Sequence, residues 1–169
     1  MLKKRGNDMN SKEKMNQVLE LLTKLEIPFQ VVEHEPVCTI EEANHISNMI
    51  EGIGTKSLFL KDKKKNYYLI ILKDDKTANI KQLEEKIGTK HISFAKEEEL
   101  QNILQLSKGS VTPFGIINDK DSKVLLIIDR DLKEKKLLFH PNTNEATLAI
   151  YYHDLEKFIQ HEDHAYILI

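Results

Sequence analysis

TKSLFLKDKKKNYYLIIL, residues 55–72, decides the architecture. Two β-rich runs, TKSLFL and YYLIIL, flank the polar turn DKKKN, a spacing that predicts a β-hairpin with loose register at the centre of a sheet. Upstream, Asn10 with Glu13 resembles a capping box, and Met15, Val18, Leu19, Leu22 and Leu25 follow at amphipathic-helix spacing until Pro28 stops them. Phe29 to Glu33 reads as a strand. Thr39 with Glu42 forms a second capping signature, for a helix through Ala43 and Ile46, and Gly52 and Gly54 end that region.

Downstream, Asn79 with Gln82 opens a short helix through Leu83 and Ile87, with Gly88 placed as its C-terminal cap. His91 to Phe94 reads as a strand. KEEELQNILQL sets Leu100, Ile103 and Leu104 on one helical face, and GSVTPFG (109–115), rich in glycine and proline, is a shaped loop. Val124 to Ile128, Leu137 to His140 and Ala146 to Tyr151 are strand candidates, followed by a helix through Leu155, Phe158 and Ile159 and a final AYILI strand. Helices and strands interleave, yet successive strands look hairpin-connected. The expected fold is therefore α/β, a single domain with a curved, mixed, barrel-like sheet surrounded by helices.

The chain has 169 residues, 31% charged and 40% hydrophobic, with 25 basic against 27 acidic side chains, a formal charge of −2. That size fits one domain, expected over residues 11–169 behind a flexible segment 1–10. The near-neutral balance makes any contact with a polyanion local. Cys38 is the only cysteine, which rules out an intramolecular disulfide and a paired-cysteine zinc site. The polar start is unlike a secretory signal, and YYLIIL falls far below the roughly 20 residues of a membrane span. A cytoplasmic protein is expected. No GxGxxG after a strand, no GxxxxGK[ST] and no GxSxG occurs, so dinucleotide-binding, P-loop and α/β-hydrolase readings lack their fingerprints.

Three segments carry candidate chemistry. Lys56 follows two glycines and precedes the apolar run SLFL, so its ammonium sits at the mouth of the sheet; a snorkelling strand-end lysine is the alternative. The loop Gly109, Ser110, Val111, Thr112, Pro113 can aim consecutive N–H groups at an anion or a carbonyl oxygen, or can be a tight connection with Gly109 as a helix cap and Pro113 setting a turn. HPNTNEAT (140–147) offers His140 and the Asn144 amide at a strand end, or is a polar turn. KDKKK (61–65) favours a solvated turn over a phosphate track. His161 and His164 have metal-compatible helical spacing without a third ligand nearby and read as surface histidines. Cys38 reads as a small buried apolar residue more than as a nucleophile.

Taken in order, FQVVEHEPVCTIEEA, TKSLFLKDKKKNYYLIIL, SFAKEEELQNILQLSKGSVTPFGIIND and FHPNTNEATLAI resemble the YbaK/aminoacyl-tRNA synthetase-associated domain family, and within it the freestanding prolyl-tRNA deacylase group. The resemblance implies hydrolysis of the ester joining a wrong amino acid to tRNA(Pro), chiefly alanine, with cysteine as the alternative. It implies Lys56, His140 and Gly109 as catalytic residues, and Ser110, Val111, Thr112, Pro113, Asn144, Thr39 and His34 around the substrate. A ribose hydroxyl of the tRNA is a possible assistant in place of a protein base. No metal or cofactor is implied, and no membrane or DNA. The implied partners are the acceptor end of tRNA(Pro) and, as a further candidate, prolyl-tRNA synthetase. Ser57 stands where the family usually has asparagine, and Glu145 where threonine is more usual. A non-catalytic tRNA- or synthetase-binding module, or a small-molecule hydrolase of the same fold, are the competing readings.

Overall fold

The structure is a computed structural model, and it describes residues 9–37 and 39–169. Helix α1 (Ser11–Lys24) starts where the Asn10 side chain accepts the Glu13 N–H, and it buries Met15, Val18 and Leu22. Strand β1 (Gln30–Glu33) follows, then α2 (Ile40–Ser47), whose N-terminus carries the reciprocal Thr39–Glu42 box expected from sequence. The hairpin is β2 (Ile53–Lys61) and β3 (Tyr67–Lys73), paired from Thr55↔Lys73 to Lys61↔Tyr67. Next come α3 (Ile80–Ile87), β4 (Ser93–Phe94) and α4 (Glu97–Leu104), and then a 3-10 helix over Pro113–Asn118. The chain continues through β5 (Val124–Ile128), a 3-10 turn at Arg130–Leu132, β6 (Lys136–Phe139), β7 (Ala146–Tyr151), α5 (Tyr152–His161) and β8 (Tyr166–Leu168).

The strands form one mixed sheet in the order β1-β7-β6-β2-β3-β5-β8, with β4 added to β2. The hairpin lies at its centre, as expected. Both faces are covered. Leu69 and Ile71 enter one buried cluster with α1, α4, α5 and Phe114, while Tyr68, Ile70 and Leu72 enter a second with Leu83 of α3. Burial on both faces explains why YYLIIL is apolar at every position.

Several local expectations are corrected. The strand expected over His91–Phe94 shortens to Ser93–Phe94, because His91 takes a positive φ of 61° that breaks an extended chain. Gly109 does not cap α4: the helix ends at Gln105, itself left-handed, and Pro113 opens the 3-10 helix instead of setting a turn. His164 is not a surface histidine. It lies beyond α5 with its side chain fully enclosed, its Nε2 2.8 Å from Asp119 Oδ2, while His161 is exposed as expected. The lysine turn is solvated at Lys63, Lys64 and Lys65 but anchored by buried Asp62, whose carboxylate accepts the N–H groups of Lys64 and Asn66 and the hydroxyls of Tyr68 and Thr89. Those donors outweigh burial and hold the Asp62 carboxyl below the usual carboxylate range. The Cys38 reading lies outside the described residues.

Candidate active site

The site forms where two strands part. β2 pairs with β6 in parallel only at Ile53↔Leu137 and Gly54↔Leu138, and one last bond runs from Thr55 Oγ1 to the Leu138 carbonyl, 2.6 Å. Beyond it β2 next finds β4 at Leu60↔Phe94, with the Ala95 N–H bonded to the Phe59 carbonyl just before. Between those points the edge of β2 is open.

A cleft of about 350 Å³ occupies the first part of this opening. Lys56, Gly109, Val111 and His140 line it together, so four of the residues singled out from sequence meet in one place. Apolar Val37, Ala43, Ile46 and Leu138 supply much of the remaining wall. Lys56 is the fourth residue of β2, not a residue before it, and is half-buried. Its ammonium makes no hydrogen bond or ion pair to another described residue, so its charge is left for a ligand.

The loop before the 3-10 helix has a defined shape. The Ser110 N–H and hydroxyl both turn back to the Ser107 carbonyl, at 3.0 and 3.1 Å, and Ser110 is buried. Gly109 adopts φ 102°, a region that strains any side chain, although the space beside it is open. The N–H groups of Gly109, Val111 and Thr112 reach no acceptor among the described residues. Thr112 and Pro113 are buried behind the loop and stay out of the cleft.

His140 follows β6, and its Nδ1 lies 3.2 Å from the Ala146 carbonyl. A carbonyl only accepts, so Nδ1 carries the proton and Nε2 keeps a lone pair. Burial pushes the imidazole below its ordinary range, nearby His34 adds to this, and the Ala146 contact acts the other way.

The other residues expected around the substrate are elsewhere. Thr39 is exposed, its hydroxyl used to cap α2. Asn144 is half-buried and outside the cleft, and the amide that turns inward is that of Asn142, 3.4 Å from the Phe114 carbonyl. His34 lines a separate recess with Lys12, Glu33 and Glu145. It reaches the cleft indirectly, through a 2.8 Å hydrogen bond from Thr147 Oγ1 to its Nε2, its Nδ1 being committed to the Glu35 carbonyl. Thr147 lines the cleft and was not singled out from sequence. The register Val32↔Thr147 sets it there, which no local pattern reveals.

A lysine and loop N–H groups without partners among the described residues, with a neutral imidazole around an apolar-walled cleft, suit attack of water on an ester, with the oxyanion held by donors. Comparison with known proteins agrees. Residues 34–158 match the model of the aminoacyl-tRNA editing domain, and the chain belongs to that family, whose reaction is deacylation of aminoacyl-tRNA. It is 40% identical over 157 residues to the prolyl-tRNA editing protein ProX of Acetoanaerobium sticklandii, covering 90% of this chain and 93% of that protein. It is also 32% identical to the prolyl-tRNA synthetase associated domain-containing protein 1 of Danio rerio, covering 89% and 83%. A solved structure described as a candidate trans-editing enzyme for prolyl-tRNA synthetase superposes with TM-score 0.70 over 95% of this chain and 97% of its own, at 16% identity, a likeness of fold.

Proposed function

We propose that the protein hydrolyses alanine from mischarged tRNA(Pro) in trans. The observation that carries this reading is the convergence of Lys56, His140, Gly109 and Val111 on one apolar-walled cleft. The names of the relatives support tRNA(Pro) as the nucleic acid. The acceptor end of that tRNA is the partner, and prolyl-tRNA synthetase would supply it.

Water adds to the ester carbonyl, the oxygen becomes negative, and collapse breaks the bond to the ribose oxygen, which takes the proton. The N–H groups of Gly109 and Val111 receive the developing charge, and Lys56 polarises the carbonyl or holds the terminal phosphate. The lone pair of His140 Nε2 orients the water or takes its proton. Val37, Ala43, Ile46 and Leu138 form a wall suited to a methyl group. Apolar contact separates side chains by only about 1 to 3 kcal/mol per methylene, so rejection of the correct proline rests on exclusion by size.

The test is direct. tRNA(Pro) charged separately with labelled alanine, cysteine or proline is incubated with the protein, and loss of label is followed. Alanine is expected to leave about tenfold or more faster than proline. Fastest loss of cysteine would overturn the alanine assignment, and no loss from any of the three would overturn the hydrolytic reading.

A further inference from the structure

A second cleft, of about 630 Å³, continues the first along the open edge of β2. Ser57, Gly109 and Val111 line both, so the two form one trough divided at the loop. Its walls are Leu58, Phe59, Ala95 and Leu100, and over it stands Phe94, 65% exposed, the most exposed large hydrophobic side chain among the described residues. A lone exposed apolar residue needs no explanation, but a ring set on a contiguous apolar cleft beside a reactive site does. The backbone that carries the ring is held in place. β4 ties Phe94 to Leu60, the Ala95 N–H bonds the Phe59 carbonyl, and Phe59 stacks on Tyr67 with centroids 5.5 Å apart.

We infer that this cleft is a subsite for an unpaired nucleobase of the tRNA 3′ end, stacked on Phe94 while the terminal ester lies in the cleft beside Lys56. The inference rests on the hydrolytic reading above and adds to it the place of the neighbouring nucleotide. The charges along the trough favour a nucleic-acid strand. Within the second cleft Lys108 is balanced by Glu97, which suits the neutral face of a base. Unpaired Lys56 lies past Ser57 at one end. At the other, β4 leads past Lys61, paired with Ser93 in register and with its ammonium engaged by Glu99, to the exposed cations Lys63, Lys64 and Lys65. An aromatic platform between cations is the arrangement that holds single strands with little regard to sequence, base by ring and phosphate by charge.

The protein has no tryptophan, so Phe94→Trp creates a single fluorescent reporter at the platform. Titration of this variant with an oligonucleotide ending in unpaired CCA is expected to quench its emission, and a blunt duplex of equal length is expected not to. In parallel, Phe94→Ala is expected to raise KM for alanyl-tRNA(Pro) by about tenfold or more with kcat little changed, and Phe94→Trp to restore it. Absence of quenching, or an unchanged KM in Phe94→Ala beside an active wild type, overturns the subsite and leaves the hydrolytic reading standing. Inactivity of the wild type on every charged tRNA overturns the hydrolytic reading, while quenching still reports the base. If Phe94→Ala instead lowers the molar mass in light scattering and leaves KM alone, the platform is a face between copies of the chain and the inference fails.

Discussion

His34 and Thr147, 113 residues apart, meet at 2.8 Å where β1 runs out beside β7, and the bond joins a histidine outside the cleft to a hydroxyl inside it. Because His34 Nδ1 is held by the Glu35 carbonyl, its Nε2 accepts and the Thr147 hydroxyl proton points away from the cleft. The oxygen therefore offers the cleft only lone pairs. Thr147→Val keeps the volume and removes them, and is expected to lower kcat/KM by about tenfold, about 1.4 kcal/mol, with unfolding free energy changed by about 1 kcal/mol or less. His34→Ala should lose a similar factor, and the double variant should lose little more than either alone, since each single change breaks the same bond. Fully additive losses in this cycle would show that the two side chains act independently.

Lys56 is expected to matter through its free charge. Lys56→Ala should lower deacylation by about 10² to 10³, about 3 to 4 kcal/mol, the usual loss when one preorganised donor at a developing oxyanion is removed. It lies half-buried, its ammonium without a partner among the described residues, so folding is spared and Tm should move by only a few degrees. Lys63→Ala, in the exposed turn, is the control and should alter only salt-sensitive binding. An active Lys56→Ala protein would place oxyanion stabilisation on the loop alone, and loss of fold with activity would make Lys56 structural.

What was legible in the chain was local. Asn10, Thr39 and Asn79 announce their helices because capping acts within three residues, and Gly88 ends α3 in the left-handed conformation that glycine allows. The hairpin declared itself through a polar turn between two apolar runs. The three reactive segments could be picked out one by one, but their meeting depends on the β2–β6 ladder ending at Gly54, a parallel contact with Leu138 across 84 positions. Thr147, His164 and Asp62 were misjudged or passed over for the same reason. Each owes its environment to a partner remote in sequence or hidden by its neighbours: His34, Asp119, and in Asp62 a carboxylate buried within a lysine run.

Glu99 links the helix before the loop to the central hairpin. Its carboxylate takes Lys61 Nζ at 2.6 Å and the Tyr67 hydroxyl at 2.5 Å, and these contacts, with the Lys96 N–H, hold its pKa at about 2 against the ordinary 4.5. A depressed carboxylate contributes stability that is complete above the unfolded value and is lost as pH falls toward the folded one. Stability of the wild type should therefore decline between pH 4.5 and about 2 partly through this group. Glu99→Gln should cost about 1 kcal/mol at neutral pH and flatten that decline, read from urea midpoints at several pH values. Parallel curves for the two proteins would remove Glu99 from the acid transition.

His140 gives the pH dependence of the reaction itself. Burial holds its pKa below the ordinary 6.5, so the neutral ring with a free Nε2 survives to lower pH than an exposed histidine would allow. If that lone pair orients or deprotonates water, kcat/KM should stay level as pH falls through 6.5 and drop only below it, since protonation of Nε2 abolishes the acceptor. His140→Asn should lower the plateau by about 10² and erase the acid limb, because no titrating group replaces the ring. The same shift acts on folding: below pH 6.5 the unfolded chain binds the proton that the folded ring resists, so stability falls on acidification from that point. In His140→Asn this contribution disappears. An acid limb at or above 6.5, or one that persists unchanged in His140→Asn, would assign the titration to another group and leave His140 a structural link to the Ala146 carbonyl.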